Sequence, residues 1–310
     1  MTAVSARNQS LPWIVSLGEA MIEFNQARSD APEQYLRGFG GDTSNMAIAA
    51  ARLVGEAGGV GYVTRVGDDA FGRMLIDVWR TERVDTRGVV ADPLAPTGVY
   101  FVTHGAHGHE FSYLRSGSAA SRMTPDKLPD GLIRGASILH VSGISQAISA
   151  DACDCVFAAI AMADAGGGRV SYDPNLRLKL WPLARARATI MATIAQCDWF
   201  LPSFDEAKTL SGCDEANAII DWCHALGAPV VALKCGRGGV VVSDGRRSET
   251  IPGHEIECVD ATGAGDSPFE AARYANAAAA LATTGFGAVA PLPRDAAVRK
   301  LLGARAEATP

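Results

Sequence analysis

Short runs of consecutive apolar residues alternate along this chain with longer segments in which apolar residues recur every three or four positions. Runs of the first kind predict buried strands, and segments of the second kind predict amphipathic helices. The predicted strands are Trp13–Leu17, Gly61–Val66, Ser137–Val141, Arg169–Tyr172, Asp198–Leu201 and Val230–Leu233. The predicted helices are Thr43–Leu53, Gly72–Arg83, Ala150–Ala165, Leu183–Ala195, Glu206–Leu210 and Ala216–Leu226. This alternation predicts a doubly wound, parallel α/β sheet with helices on both faces, which binds ligands at the carboxyl ends of its strands.

Two stretches, residues 19–39 and 89–115, interrupt the alternation because they are strand-like and contain no helix. We predict that they form a small β-sheet lid above the main sheet. Three histidines near a glycine-rich turn allow a metal site, but they lack further ligands and fit a solvated turn better: His104, His107 and His109. Because no linker-like segment divides the chain, residues 1–310 are predicted to form a single domain.

Composition and charge exclude several classes of protein. The net charge of -6 argues against a nucleic-acid partner. The seven cysteines are scattered without a CxxC pair, which argues against structural zinc and a disulfide framework and predicts a cytoplasmic protein with reduced thiols. No apolar run is long enough to span a membrane.

The sequence DATGAGD at residues 260–266 is the strongest chemical signal. Small residues before a helix leave backbone N–H groups free at the positive end of the helix dipole, where an anion binds. Asp266 would repel a resting phosphate, so anion binding alone does not explain it. A carboxylate in this place suits the removal of a proton from a hydroxyl that attacks a phosphoryl group.

This motif resembles the signature of the ribokinase-like (PfkB) carbohydrate kinases. Four further motifs follow that family's order and extend the resemblance over most of the chain: GGDTSN at 40–45, DPNLR at 173–177, PSFDEA at 202–207 and LKCGRGG at 233–239. The resemblance implies an ATP-dependent sugar kinase that uses Mg²⁺ and a lid that covers the sugar. It also implies a homodimer formed through the lid.

The resemblance implies that Asp266 is the catalytic base and that three neighbouring residues donate backbone N–H groups to the phosphoryl group: Gly263, Ala264 and Gly265. The alternatives are a helix cap for Asp266 and an ordinary tight turn for the other three.

The resemblance also implies a sugar-binding end, where two glycines would permit close approach of the backbone and two polar side chains would bind hydroxyls: Gly40, Gly41, Asp42 and Asn45. Capping of the helix that follows is an additional role for Asp42.

The choice of sugar rests on a second group of residues implied by the resemblance: Tyr100, Tyr113, Arg115, Asp173 and Arg177. The surroundings of both arginines resemble 2-keto-3-deoxygluconate kinases. Two guanidinium groups could bind a carboxylate, which a neutral hexose lacks. We therefore predict an acid sugar as the substrate. The alternatives are surface ion pairing of both arginines, and a fructokinase or another PfkB sugar kinase.

The resemblance assigns the nucleotide to Ser203, Lys234, Gly236, Gly239 and Asn276, although a plain β-turn would also explain the glycines. Glu206 would act on Mg²⁺ through bound water, because Mg²⁺ retains several waters. The alternative for Glu206 is a first-turn carboxylate that the helix dipole stabilises.

The chain departs from the family after Asp266, where one helix and a loop are missing and the motif runs directly into a segment resembling the next helix, Glu270–Thr284. A non-catalytic protein that binds a sugar or a nucleotide is therefore a further alternative.

Overall fold

The computed structural model describes residues 11–27, 33–55, 59–105, 108–254, 268–284 and 289–306. In chain order its strands are β1 Ile14–Leu17, β2 Met21–Gln26, β3 Tyr35–Gly40, β4 Val60–Gly67, β5 Val84–Asp92, β6 Gly98–Gly105, β7 Gly108–Leu114, β8 Ile138–Ser142, β9 Arg169–Asp173, β10 Trp199–Phe200, β11 Val230–Lys234, β12 Val240–Ser243 and β13 Ser248–Ile251. The α-helices are α1 Asp42–Val54, α2 Ala70–Thr81, α3 Asp130–Arg134, α4 Gly143–Ala147, α5 Ala150–Ala165, α6 Leu183–Ile194, α7 Phe204–Ser211, α8 Ala216–Ala225, α9 Pro268–Ala282 and α10 Asp295–Ala306.

Nine strands form one large sheet in the order β13-β12-β11-β10-β9-β8-β1-β4-β5. From β11 to β5 all neighbouring strands are parallel, so their carboxyl ends lie along one edge. β12 and β13 extend the sheet in antiparallel fashion, which the sequence analysis did not predict. The predicted α/β fold with a mainly parallel sheet is confirmed.

Helices cover both faces of the large sheet because successive side chains of a buried strand point to opposite sides. In β11, Val231 and Leu233 pack into the core formed with α5 to α8, whereas Val230 and Ala232 pack on the opposite face beside α9. In β4, Tyr62 packs on that opposite face against α1 and α2. Near-continuous apolar strands are therefore required here, as the sequence pattern indicated.

A second sheet has four strands in the order β3-β2-β6-β7. It contains the strands predicted for the lid, and its central pair, β2 and β6, is parallel while the outer pairs are antiparallel. The predicted lid boundary at residue 89 is wrong, because residues 89–92 belong to β5 and pair with β4 in the large sheet. A strand-like sequence cannot show which of two sheets provides its partner.

Candidate active site

The carboxyl edge of the parallel strands brings together polar residues from separate motifs. Asp173 ends β9 and Lys234 ends β11, while Ser203 follows β10 between them and forms an isolated bridge with Lys234. The Lys234 Nζ donates to Asp173 Oδ2 at 2.5 Å. Three motifs that lie far apart in sequence therefore meet at one place, as expected for a parallel sheet.

Lys234 keeps its positive charge in this setting. Burial lowers the pKa of its ammonium group, but the carboxylates of Asp173, Glu206 and Asp42 outweigh that effect and raise the pKa above its ordinary value. The Lys234 side chain as a whole is half-exposed, so a ligand at the edge of the sheet can reach it. A side chain that stays positively charged at the edge of the sheet suits a ligand that contains phosphate groups.

Glu206 forms a capping box at the start of α7. Its Oε2 accepts hydrogen bonds from Ser203 N at 2.9 Å and Ser203 Oγ at 2.6 Å, and its Oε1 accepts one from Leu176 N at 2.9 Å. Three of about four lone-pair sites of the carboxylate are thus occupied. The alternative of a first-turn carboxylate is present in the structure, and the remaining acceptor capacity of Glu206 suits contact with a metal-bound water better than direct coordination.

Asp42, at the start of α1, is joined to this group by a side chain that the site prediction omitted. Asn175 Nδ2 donates to Asp42 Oδ2 at 2.8 Å, and Asn175 N donates to Asp173 Oδ1 at 3.0 Å. Asn175 adopts a positive φ of 33°, which a turn residue such as Asn tolerates. The turn after β9 thereby links Asp42, predicted to bind the sugar, to Asp173 and through it to Lys234.

The small sheet meets α1 at Gly40. A Cβ atom at Gly40 would lie 2.6 Å from the hydroxyl oxygen of Tyr100, so only glycine allows this approach. The Tyr100 hydroxyl donates to the carboxylate of Glu23, and the Tyr100 ring stacks on Tyr113 with centroids 5.9 Å apart. A carboxylate and a phenol therefore lie beside the predicted sugar site.

Asn45 lies in the first turn of α1, and its side chain is buried. Its Oδ1 has no hydrogen-bond partner among the described residues. An unsatisfied buried acceptor costs about 1–3 kcal/mol. A ligand hydroxyl that donates to this oxygen would remove the penalty, so the orphaned atom fits a polyhydroxylated ligand.

The two arginines assigned to a substrate carboxylate have different surroundings. Arg115 is only 8% exposed and forms an ion pair with buried Glu19, so it is ion-paired, but in the interior and not at the surface as the alternative had it. Arg177 is half-exposed, with its Nη1 3.9 Å from Glu206 Oε1. Only Arg177 presents a guanidinium that another carboxylate could reach without separating a buried pair.

The predicted nucleotide loop forms a 3₁₀ turn, Gly236–Gly238. Gly236 has a φ of 56° with open space where a side chain would project, and Gly239 has a φ of 89° with its Cβ position only 2.0 Å from Ile251 O. Asn276 Nδ2 donates to Pro252 O at 2.7 Å, which links α9 to the end of β13. The turn is thus tightly packed at Gly239, while the backbone at Gly236 is open to a ligand.

Four predicted catalytic residues lie outside the described residues: Gly263, Ala264, Gly265 and Asp266. His107 lies outside them as well, whereas His104 Nε2 makes a 2.9 Å hydrogen bond with Asn25 Oδ1. In the described part of the chain, no group of three or more His, Cys, Asp or Glu side chains is arranged to hold a metal ion. No helix within these ranges is long and apolar enough to cross a membrane.

Sequence reasoning missed Glu19, Glu23 and Asn175. Asn175 stood within a recognised motif, and its place after a proline in DPN could have marked it as a turn residue. Glu19 and Glu23 gave no comparable signal, since a single carboxylate in a strand-like segment is usually exposed. Their partners are 77 or more residues away in sequence.

Comparison with known proteins agrees with this geometry. Fructokinase-1 of Zea mays is 34% identical, over 93% of this chain and 97% of its own length, and fructokinase-1 of Oryza sativa is equally similar. A solved structure of fructokinase with bound ATP from Xylella fastidiosa is 26% identical, covers 96% of this chain and 100% of its own, and has a TM-score of 0.84. A fructokinase from Vibrio cholerae, solved with fructose, ADP and calcium, is 28% identical, covers 93% of this chain and 98% of its own, and has a TM-score of 0.80.

Residues 12–295 match the family described as pfkB family carbohydrate kinase, which is nearly the whole chain. The predicted ribokinase-like family is therefore confirmed, while the comparisons give no specific support to 2-keto-3-deoxygluconate as the sugar. The chain belongs to the pfkB family of carbohydrate kinases and is a phosphotransferase that acts on an alcohol group of a sugar.

Proposed function

We propose that this protein transfers the γ-phosphoryl group of ATP to a hydroxyl of a neutral ketohexose, with fructose as the first candidate. The observation that carries this proposal is the buried Asn45 Oδ1, which has no partner among the described residues and lies in the same helical turn as Asp42. A sugar hydroxyl supplies the missing donor, and the Asp42 carboxylate accepts from a second hydroxyl. Relatives of similar length are named fructokinases, which favours this sugar.

In the proposed reaction, the sugar hydroxyl loses its proton to Asp266 as its oxygen bonds to the γ-phosphorus, and the bond between that phosphorus and the ADP oxygen breaks. Backbone N–H groups of Gly263, Ala264 and Gly265 stabilise the charge on the phosphoryl oxygens. Lys234 contributes a positive charge from the end of β11. A positioned base is worth roughly 10²–10⁴ in rate.

The residues at the sheet edge fit a nucleotide with Mg²⁺. We assign the nucleotide to the open 3₁₀ turn at Gly236 and Gly239, to Ser203 and Lys234, and to Asn276 on α9. Bound Mg²⁺ would neutralise charge on the phosphates, and Glu206 would hold one of its waters through the acceptor capacity that remains. This agrees with related structures solved with ATP or with ADP and calcium.

The ion pair between Arg115 and Glu19 favours a neutral sugar over an acid sugar as the substrate. Buried Glu19 already neutralises the charge of Arg115, although Arg115 Nε has no hydrogen-bond partner among the described residues, and separating the pair would leave a charge unpaired in the interior. 2-Keto-3-deoxygluconate remains the second candidate because Arg177 is half-exposed near Glu206 and could reach its carboxylate.

Release of ADP measured across a panel of sugars tests this proposal. We expect the highest kcat/KM for fructose and a lower value for 2-keto-3-deoxygluconate. Arg177→Ala should leave kcat/KM for fructose within twofold. It should lower kcat/KM for the acid sugar, because a charge-assisted contact to its carboxylate is worth about 1.5–3 kcal/mol. Lys179→Ala, a nearby exposed cation, is the matched control. A preference for the acid sugar that Arg177→Ala removes and Lys179→Ala retains would replace fructose by the second candidate.

The small sheet supports a proposed homodimer. Leu36 is 68% exposed, and Phe111 and Tyr113 on the same face of the sheet are also exposed, so this face presents an apolar surface. We propose that two copies of the chain associate through this surface. We also propose that the protein is a single domain that works in the cytoplasm. Its substrates would be a small sugar and ATP and not nucleic acid. The small sheet would then cover the sugar and join the subunits.

The segment after Asp266 leads to a separate prediction. The match with the Zea mays protein runs over 321 positions, more than the 310 residues of this chain, so that relative contains positions with no counterpart here. A family-like helix and loop inserted between Ser267 and Pro268 should raise both the melting temperature and the rate of ADP release, because the helix would cover apolar surface. If the protein with the insertion is no better than the 310-residue chain in either measurement, α9 alone is sufficient for stability and activity.

A further inference from the structure

The chain passes four times between the large sheet and the small sheet, and one buried residue contacts all of these crossings. Glu19 lies in the crossing from β1 to β2. Its backbone carbonyl abuts Gly41 in the crossing from β3 to α1, where an added Cβ would lie only 2.4 Å from Glu19 O. Its Oε1 lies against Gly98 at the start of β6, where an added Cβ would be 3.0 Å away.

The fourth crossing follows β7, and it supplies both polar partners of the Glu19 carboxylate. Arg115 forms an ion pair with Glu19, and Ser118 Oγ donates to Glu19 Oε1 at 2.5 Å. All three side chains are buried. Ala119 N donates to Pro96 O at 2.8 Å, which ties this crossing to the one before β6. Glu19, Arg115 and Ser118 are called the junction cluster below.

From these contacts we infer that the junction cluster is a positioning device for the sugar site, which fixes the small sheet relative to Gly41 and Asp42. The inference rests on the proposed sugar kinase function. The cluster does not contact the sugar itself. It acts through its neighbours, because a shift at Glu19 moves the Gly41 backbone on one side and the β6 strand that carries Tyr100 on the other.

The choice of a charged pair has a physical reason. A buried ion pair contributes little net stability, yet removal of one partner leaves an uncompensated charge in the interior. The pair therefore tolerates few arrangements of the crossings, whereas apolar packing would tolerate several. The same contacts explain why Arg115 is unavailable to a substrate carboxylate.

Three variants disturb the junction cluster to different degrees: Ser118→Ala, Arg115→Lys and Glu19→Gln. Glu82→Gln is the matched control, because Glu82 forms the partly buried ion pair with Arg52 at the far end of α1, with Nη2 to Oε1 at 2.6 Å. Each protein is assayed with fructose and ATP for KM and kcat, and by hydrogen exchange of the amides in Met21–Gln26 without ligand. Both measurements use the full chain.

We expect the KM for fructose to rise about tenfold in Glu19→Gln, which loses a charge-assisted hydrogen bond. We expect a rise of about threefold in Ser118→Ala, which loses a weaker hydrogen bond. Arg115→Lys should retain more affinity than Glu19→Gln because it keeps the opposite charge. The KM for ATP should stay within twofold, and exchange in Met21–Gln26 should become faster. Glu82→Gln should lower the melting temperature with an unchanged KM for fructose.

The inference is overturned if the junction variants lower the melting temperature as Glu82→Gln does while the KM for fructose and the exchange of Met21–Gln26 stay unchanged. Equal increases in KM for fructose and for ATP would overturn it too. If Glu19→Gln does not fold, Ser118→Ala decides, since it keeps the ion pair. If the unmodified protein phosphorylates no sugar, the proposed function fails, and the exchange measurement alone decides whether the cluster positions the small sheet.

Discussion

Replacing Asp266 with asparagine should lower turnover by roughly 10² or more while binding of the sugar survives. Asparagine keeps the size and much of the hydrogen bonding of aspartate, but it cannot accept the proton of the attacking hydroxyl. The rate of ADP release at saturating fructose and ATP measures the loss. Fructose affinity, measured separately by calorimetry, reports whether the site is intact.

Asp164→Asn is the control for the loss of one negative charge, because Asp164 is exposed near the end of α5, away from the carboxyl edge of the sheet. It should leave turnover unchanged. If Asp266→Asn retained near-normal turnover, Asp266 would be a helix cap and the proton would have to leave by another route.

The second large effect is expected from Gly41→Ala. Gly41 has a φ of 146°, and an added Cβ would lie 2.4 Å from Glu19 O and 2.9 Å from Ala20 Cα. Both obstacles are backbone atoms, which cannot move aside as a flexible side chain can. The substitution should therefore destabilise the fold by about 1–3 kcal/mol. It should also displace Asp42, the next residue, and raise the KM for fructose at least tenfold, since small errors in position weaken binding and catalysis strongly.

Gly55→Ala separates the two effects. Gly55 also has a positive φ, 58°, at the other end of α1, but no atom of the other described residues lies within 4 Å of its Cβ position. This control should lose stability from backbone strain alone and keep its KM for fructose. Chemical denaturation gives the free energies of unfolding, and steady-state assays give the KM values. Similar KM values in both variants would show that Asp42 does not depend on the Gly41 backbone.

The sequence determined the main sheet to a large extent. Six strands and six helices were predicted close to their observed bounds, and α5 was predicted without error at Ala150–Ala165. This was possible because strands buried on both faces form nearly continuous apolar runs and the helices between them are amphipathic. The order of the motifs also indicated the family, and the motifs at the ends of β9, β10 and β11 meet at one edge because these strands are parallel.

The partners of individual side chains were decided only by the tertiary structure. Arg115 read from the sequence as a ligand for an acid sugar, but a residue 96 positions earlier, Glu19, neutralises it. Residues 89–92 read as part of the lid, but they pair with β4. Local sequence sets whether a segment is a strand and whether a side chain is charged. Which strand it pairs with, and which charge it meets, depends on the packing of segments distant in the chain, and no local pattern records that choice.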